Sequence, residues 1–127
     1  MSRPLPDEDE KKIHWIGSSR ERLLSFPGEV QDDIGFALSA AQFGSKAGTA
    51  KPWKGAGSGV LEVVESHGGD AYRAVYTVRF KKAVYVLHVF QKKSTTGIRT
   101  SQRDVEAVND GLKAANTHYS ETYGREP

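Results

Sequence analysis

The chain of 127 residues is long enough for one domain with a hydrophobic core and too short for two. Its hydrophobic fraction of 37% and charged fraction of 27% exclude general disorder, and no run of about 18 apolar residues indicates a membrane span. The absence of cysteine excludes disulfides, thiolate catalysis and cysteine-based zinc sites, and the net charge of +2 is too small to indicate nucleic-acid binding by itself.

The N-terminal third of the chain predicts a tail, a strand and two helices. Residues 1–11 are rich in proline and acid, and we expect a flexible acidic tail before a single domain over residues 12–123. An acidic start without an apolar segment is not a signal peptide, so we expect a cytoplasmic protein. Residues 13–16 predict a strand, residues 18–25 a short helix, and the apolar spacing over residues 29–43 a second helix.

The rest of the chain predicts three strands and a last helix. A glycine-rich loop over residues 45–58 contains Trp53, which we expect to pack on the sheet, although the two flanking lysines leave stacking on a base open. Strands are predicted over residues 59–66, 71–80 and 83–90, the last two joined by a hairpin. Ser101 and Asp104 predict the capped start of a final helix. The order β-α-α-β-β-β-α indicates an α+β fold, with an antiparallel sheet of about four strands, helices against one face and the opposite face open.

Cationic side chains concentrate on the hairpin and its surroundings. The alternation of a strand places Arg73 and Arg79 on one face, and the next strand ends in a lysine pair. Cations at fixed spacing suit a row of phosphates and the charge that develops on phosphorus when RNA is cleaved. Charge alone also allows salt bridges, for instance from Glu62 or Glu65 to Arg73. The candidates are Arg73, Arg79, Lys92, Lys93, Lys54 and Arg99.

The four histidines show no metal-ligand spacing, so we predict neither a metal site nor a cofactor. His88 lies in the strand that leads to Lys92 and is a candidate for proton transfer. A histidine that shares a face with Val84, Val86 and Phe90 is, however, more often packed than catalytic. Phe90 itself can either stack on a base or be buried.

Four segments and the capped helix after them resemble the phage-derived HigB-like branch of the RelE/ParE toxin superfamily, over about residues 12–115. The segments are Lys-Pro-Trp-Lys-Gly at 51–55, Gly-Val-Leu-Glu-Val at 59–63, Ala-Tyr-Arg-Ala-Val-Tyr at 71–76 and Val-Leu-His-Val-Phe-Gln-Lys-Lys-Ser at 86–94. The resemblance implies a RelE-like fold and a toxin of a type II toxin-antitoxin pair. Such toxins enter the ribosomal A site and cleave mRNA as metal-independent endoribonucleases.

The resemblance also implies roles for individual residues. Arg73 would stabilise the phosphate, Lys92 and Lys93 would stabilise charge with one of them a candidate base, and His88 and Phe90 are weaker matches. It implies a cognate helix-turn-helix (HigA-like) antitoxin as partner. Because one fold hosts several functions, two alternatives stay open: a ParE-like inhibitor of DNA gyrase and a non-catalytic phage-derived binding module. The acidic N-terminal extension departs from compact members.

Overall fold

The computed structural model describes residues 10–92 and 101–124. Its elements are β1 Lys12–Trp15, α1 Ser19–Leu24, α2 Gly28–Gln42, β2 Ala50–Pro52, β3 Val60–His67, β4 Asp70–Thr77, β5 Ala83–Lys92 and α3 Gln102–Tyr123. The α+β class, the two N-terminal helices and the C-terminal helix are confirmed. Most of the acidic tail lies outside the described residues. No helix in the described part of the chain is both long enough and apolar enough to cross a membrane.

The sheet has five strands in the order β1-β5-β4-β3-β2, rather than the predicted four. β2, β3, β4 and β5 pair in antiparallel fashion, whereas β1 pairs in parallel with β5. The prediction of an antiparallel sheet of about four strands is therefore close, and it differs from the structure at the two edges. At one edge, three residues of the predicted loop form β2 and pair with β3. At the other edge β1 is parallel to β5, and α1 and α2 connect β1 to β2 on the far side of the sheet.

An irregularity in the pairing of β4 with β5 changes which side chains share a face. Val75 lies opposite His88 and the next residue, Tyr76, lies opposite Val86, so Leu87 is an extra residue on β5. Val86 packs into the core beneath α1 and α2, and Leu87 packs into the core beneath α3. The prediction that His88 shares a face with Val86 is wrong, because this bulge reverses the alternation.

Helices pack on both faces of the sheet, so the predicted open face is wrong. On one side α1 and α2 bury apolar residues against the sheet, including Leu23, Ile34, Leu38, Tyr76 and Val86. On the other side α3 does the same with Val75, Tyr85, Leu87, Val108, Ala115 and Tyr119. The physical reason is that β5 is apolar on both faces, and both faces must be covered.

Gly111 sets how closely α3 approaches the sheet. A Cβ atom at this position would lie 2.7 Å from the carbonyl oxygen of Leu87, which is closer than atoms pack.

The helix begins as predicted, because the Ser101 side chain accepts a hydrogen bond from the backbone N–H of Asp104 at 3.2 Å. Trp53 is 7% exposed and packs on the α3 side of the sheet, also as predicted. The first turn of α3 lies beside the C-terminal part of β5, where Asp104 contacts His88.

Candidate functional site

A surface cleft of about 570 Å³ opens beside the first turn of α3. Its walls are Lys51, Pro52, Trp53, Lys54, Glu62, Arg73 and Val105. The sheet register brings the charged members together: Lys51 lies opposite Glu62, and Arg73 lies opposite Val64, two residues further along β3. Glu62 and Arg73 are thus diagonal neighbours on one face. Three cations and one carboxylate line the same cleft.

Glu62 is shared between two cations at long distances. One oxygen, Oε2, lies 3.4 Å from a terminal guanidinium nitrogen of Arg73, and Oε1 lies 3.6 Å from Nζ of Lys51. The side chains of Arg73 and Glu62 are 13% and 10% exposed. Short charge-assisted bonds between nitrogen and oxygen measure about 2.7–2.9 Å, so both contacts are loose. The salt-bridge alternative from the sequence is present between Arg73 and Glu62, in this loose form.

The guanidinium of Arg73 has at least one N–H donor without a hydrogen-bond partner among the described residues. This donor is Nε, which is buried. Arginine carries five N–H donors, and a buried donor left unpaired costs about 1–3 kcal/mol. Because the side chain lines the cleft and is 13% exposed, a phosphate there would meet its terminal nitrogens rather than the buried Nε. Arg73 is therefore the side chain in the cleft that an anion satisfies best.

Beside Arg73, β5 presents an aromatic ring and a histidine to α3. Phe90 lies opposite Arg73, is 5% exposed, and stacks on the ring of His88 with centroids 4.9 Å apart. Nε2 of His88 lies 2.8 Å from Oδ1 of Asp104 on α3. Of the two possibilities left open for Phe90, burial is the one found. Its stacking holds the imidazole in place rather than offering a surface for a base.

Asp104 orients His88 as an ionised carboxylate. Its second oxygen accepts a hydrogen bond of 2.6 Å from the Ser101 hydroxyl. Burial raises the pKa of Asp104, but the hydrogen bonds from Ser101 and His88, followed by the charges of His88 and Arg22, lower it more, so the net pKa is below the ordinary value. A carboxylate that binds one ring nitrogen fixes the orientation of the imidazole. This resembles the oriented base of many proton-transfer sites.

The predicted site residues do not all meet in one place, and His88 and Phe90 are not among the residues that line the Arg73 cleft. Arg73 and Lys54 line the cleft. Lys92, opposite Ala71, is the diagonal neighbour of Arg73 on the adjacent strand, with Cα atoms roughly 7–8 Å apart. Lys93 and Arg99 lie outside the described residues.

Arg79 does not join this cluster. Its guanidinium donates to the carbonyl oxygens of Ala56 and Ser58, both at 2.9 Å, and lies past the end of β4. It holds the loop that leads into β3. The predicted row of cations along one face of β4 therefore does not form, because β4 ends at Thr77 and the Arg79 side chain binds the loop before β3.

Two residues of the site were missed by sequence reasoning. Glu62 was considered only as one possible ion-pair partner, and Asp104 only as part of a helix cap. The β3–β4 hairpin carried a signal for Glu62, because pairing around the turn at Gly68 places it on the face of Arg73. The capping spacing placed Asp104 at the start of α3, but nothing in the sequence showed that a bulge turns His88 towards it.

In the described part of the chain, no group of three or more histidine, aspartate or glutamate side chains could hold a metal ion.

A family model described as Phage derived protein Gp49-like (DUF891) matches residues 21–113, well over half of the chain. The match begins inside α1 and ends inside α3, so it contains β2 to β5 and every residue of the Arg73 cleft. Neither a curated protein nor a solved structure matches the chain.

Proposed function

The chain belongs to the Gp49-like family of phage-derived proteins, a RelE/HigB-like toxin family of toxin-antitoxin systems, and from this premise we propose that it is a metal-independent endoribonuclease that cleaves mRNA on the ribosome. A toxin of such a family has an antitoxin as its partner. We propose that this antitoxin is a helix-turn-helix (HigA-like) protein. The proposal on activity goes beyond the family and rests on the Arg73 cleft.

The observation that carries the proposal is the state of Arg73. The guanidinium is largely buried, borders an open cleft, and has one loose carboxylate contact and an unpaired Nε. An electrostatic contact in a site partly screened from water is stronger than the same contact on an open surface. Such a group suits the extra negative charge that builds on a phosphate under attack.

In the proposed reaction the 2′-hydroxyl of the message loses its proton and attacks the neighbouring phosphorus. The bond from phosphorus to the 5′-oxygen breaks and this oxygen takes up a proton, which leaves a 2′,3′-cyclic phosphate and a 5′-hydroxyl. Arg73 stabilises the charge on the non-bridging oxygens, and Lys92, with Lys93 next to it in sequence, adds to this. Lys54 binds a flanking phosphate, and Arg99 is a further proposed contact outside the described residues. His88, oriented by Asp104, is the proposed group for proton transfer.

Growth and message mapping test the proposal. The protein is induced in bacteria and the 5′ ends of messages are mapped, with Arg73→Ala as the test variant and Arg20→Ala as the matched control, since Arg20 is exposed on α1 and lies outside the cleft. We expect cuts in translated messages and growth arrest for the wild type and for Arg20→Ala, and loss of both for Arg73→Ala. Circular dichroism checks that each variant is folded.

Two results would contradict the proposal. The first is an Arg73→Ala variant that is folded and still cuts messages as the wild type does. The second is growth arrest with DNA breaks and an SOS response but no new message ends, which is the outcome for a gyrase inhibitor. An induced protein with neither effect would indicate the non-catalytic binding module.

A further inference from the structure

A second cationic cleft lies at the opposite end of the sheet. Its volume is about 480 Å³, and its walls are Glu10, Lys12, His14, Lys81, Lys82, Thr122 and Tyr123. It shares no residue with the Arg73 cleft. Lys12 pairs with Ala83 and Arg73 with Phe90, so seven residues of β5 separate the two clefts, which is roughly 20 Å at about 3.3 Å per residue.

Backbone hydrogen bonds fix the positions of the lysines around this cleft. The backbone N–H of Lys12 donates to the carbonyl oxygen of Lys82 at 3.2 Å. The backbone N–H of Lys82 in turn donates to the hydroxyl of Tyr119 on α3 at 3.2 Å. The side chains of Lys12, Lys81 and Lys82 are all exposed. Three ammonium groups thus extend from a rigid frame, and a single carboxylate, that of Glu10, lines the cleft with them.

The wall below the lysines is built from aromatic and imidazole rings. His14 and Tyr123 line the cleft, and Nε2 of His14 lies 2.7 Å from the hydroxyl of Tyr123. The ring of Tyr85, which does not line the cleft, stacks on His14, and its hydroxyl lies 2.6 Å from Nδ1 of His118. Burial lowers the pKa of His14, and the nearby His118 and Lys12 lower it further.

We propose that this cleft, formed by Lys12, Lys81 and Lys82 above His14 and Tyr123, binds backbone phosphates of an RNA strand. Lysine is a point charge that contacts phosphates without reading sequence, and such contacts set the position of a nucleic acid on a protein. Three separate ammonium groups around an open cleft suit successive phosphates of a chain better than one free phosphate ion. This cleft would bind RNA at a distance from Arg73, and the proposal does not depend on whether the protein cleaves RNA.

The test uses an RNA that cannot be cleaved. A fluorescent RNA of twelve nucleotides, 2′-O-methylated throughout, lacks the attacking hydroxyl, and its binding is followed by anisotropy between about 50 and 200 mM salt. The variant is Lys81→Gln with Lys82→Gln. Each phosphate contact on a single strand contributes about 0.7 to the slope of log affinity against log salt, so we expect the slope to fall by about 1.4 and the affinity at low salt by about tenfold.

A matched control separates the cleft from net charge. Lys46→Gln with Lys113→Gln removes the same charge from exposed positions that line neither cleft. We expect this control to keep the wild-type slope. An unchanged slope for the Lys81 and Lys82 variant would overturn the inference, and so would an equal loss in the control. Because the RNA is uncleavable, either result stands apart from the growth test of Arg73.

Discussion

The loose pair between Arg73 and Glu62 is the feature of the site whose energy is most open to measurement. We consider Glu62→Gln, which removes the negative charge and keeps the volume and one acceptor oxygen. The substitution leaves a largely buried guanidinium without its counter-ion. We expect it to destabilise the fold and, at the same time, to strengthen the binding of RNA in the Arg73 cleft.

The size of the first effect follows from the geometry. Unit charges 3.4 Å apart attract by about 5 kcal/mol at an effective dielectric constant near 20, and the loss of hydration offsets most of this. Leaving one partner of a fully buried pair uncompensated costs about 3–5 kcal/mol. Arg73 is 13% exposed and borders a cleft that water can enter, so we expect a smaller loss, about 1–3 kcal/mol of unfolding free energy.

Urea denaturation measures this loss, and a double-mutant cycle with Arg73→Gln isolates the pair. Because the two side chains are in contact, we expect a coupling free energy of about 1 kcal/mol or more. Removing a carboxylate that repels phosphate should also raise the affinity for uncleavable RNA roughly fivefold, or about 1 kcal/mol. A coupling below about 0.3 kcal/mol would refute the reasoning, since Arg73 and Glu62 would then not interact in solution.

Three further predictions follow from packing and protonation. Gly111→Ala should destabilise the protein by about 1–3 kcal/mol, because the added Cβ meets the backbone of β5. Gly35→Ala, at an open helical position of α2, should instead stabilise it by about 0.5–1 kcal/mol. Equal effects of the two substitutions in urea denaturation would contradict this. Hydrogen bonds outweigh burial and lower the pKa of Asp104, so its contribution to stability should be full above pH 3.8 and lost as pH falls through the lower folded value; acid denaturation of Asp104→Asn should lack this component. Burial raises the pKa of Tyr76 and Tyr85 to about 12, so ultraviolet titration of the folded protein should show two tyrosines that ionise near pH 12. Stability should be lost between pH 10, where these tyrosines ionise in the unfolded chain, and about pH 12; complete titration of all tyrosines by pH 11 in the folded protein would contradict this.

Local patterns predicted most of the fold. The period of α2, the alternation in β3 and β4 and the cap at Ser101 each depend on neighbours in sequence, and each is found. The errors concern long-range pairing. A three-residue strand such as β2 has too few residues to show a pattern, and the parallel pairing of β1 with β5 depends on the path of the chain across the sheet. The covering of the second face by α3 required knowing which sheet surface its apolar stripe meets.

The sequence indicated Arg73 and Lys54 as members of one cationic cluster, but not the arrangement around them. Alternation alone placed Arg73 on the same face as Arg79, yet the chain turns away from the strand before Arg79. It also assigned His88 to the wrong face, because a single extra residue in β5 reverses everything after it. Bulges have little sequence signal, and this one decides whether a histidine faces α1 and α2 or Asp104.

The cover of α3 over the sheet changes how the proposed cleavage site would work. On an open sheet, Arg73 would be hydrated and its attraction to phosphate weakened by water. Beside α3 its charge lies in a less polar environment, which strengthens contacts with an anion but makes an unpaired guanidinium costly. Glu62 offsets part of the cost of the buried guanidinium, but its contact is 3.4 Å long and Nε of Arg73 stays unpaired. On the proposed function, a phosphate would bind the terminal nitrogens of Arg73 and compete with Glu62 for them, so the carboxylate acts as a resting counter-ion that keeps the arginine in position between substrates.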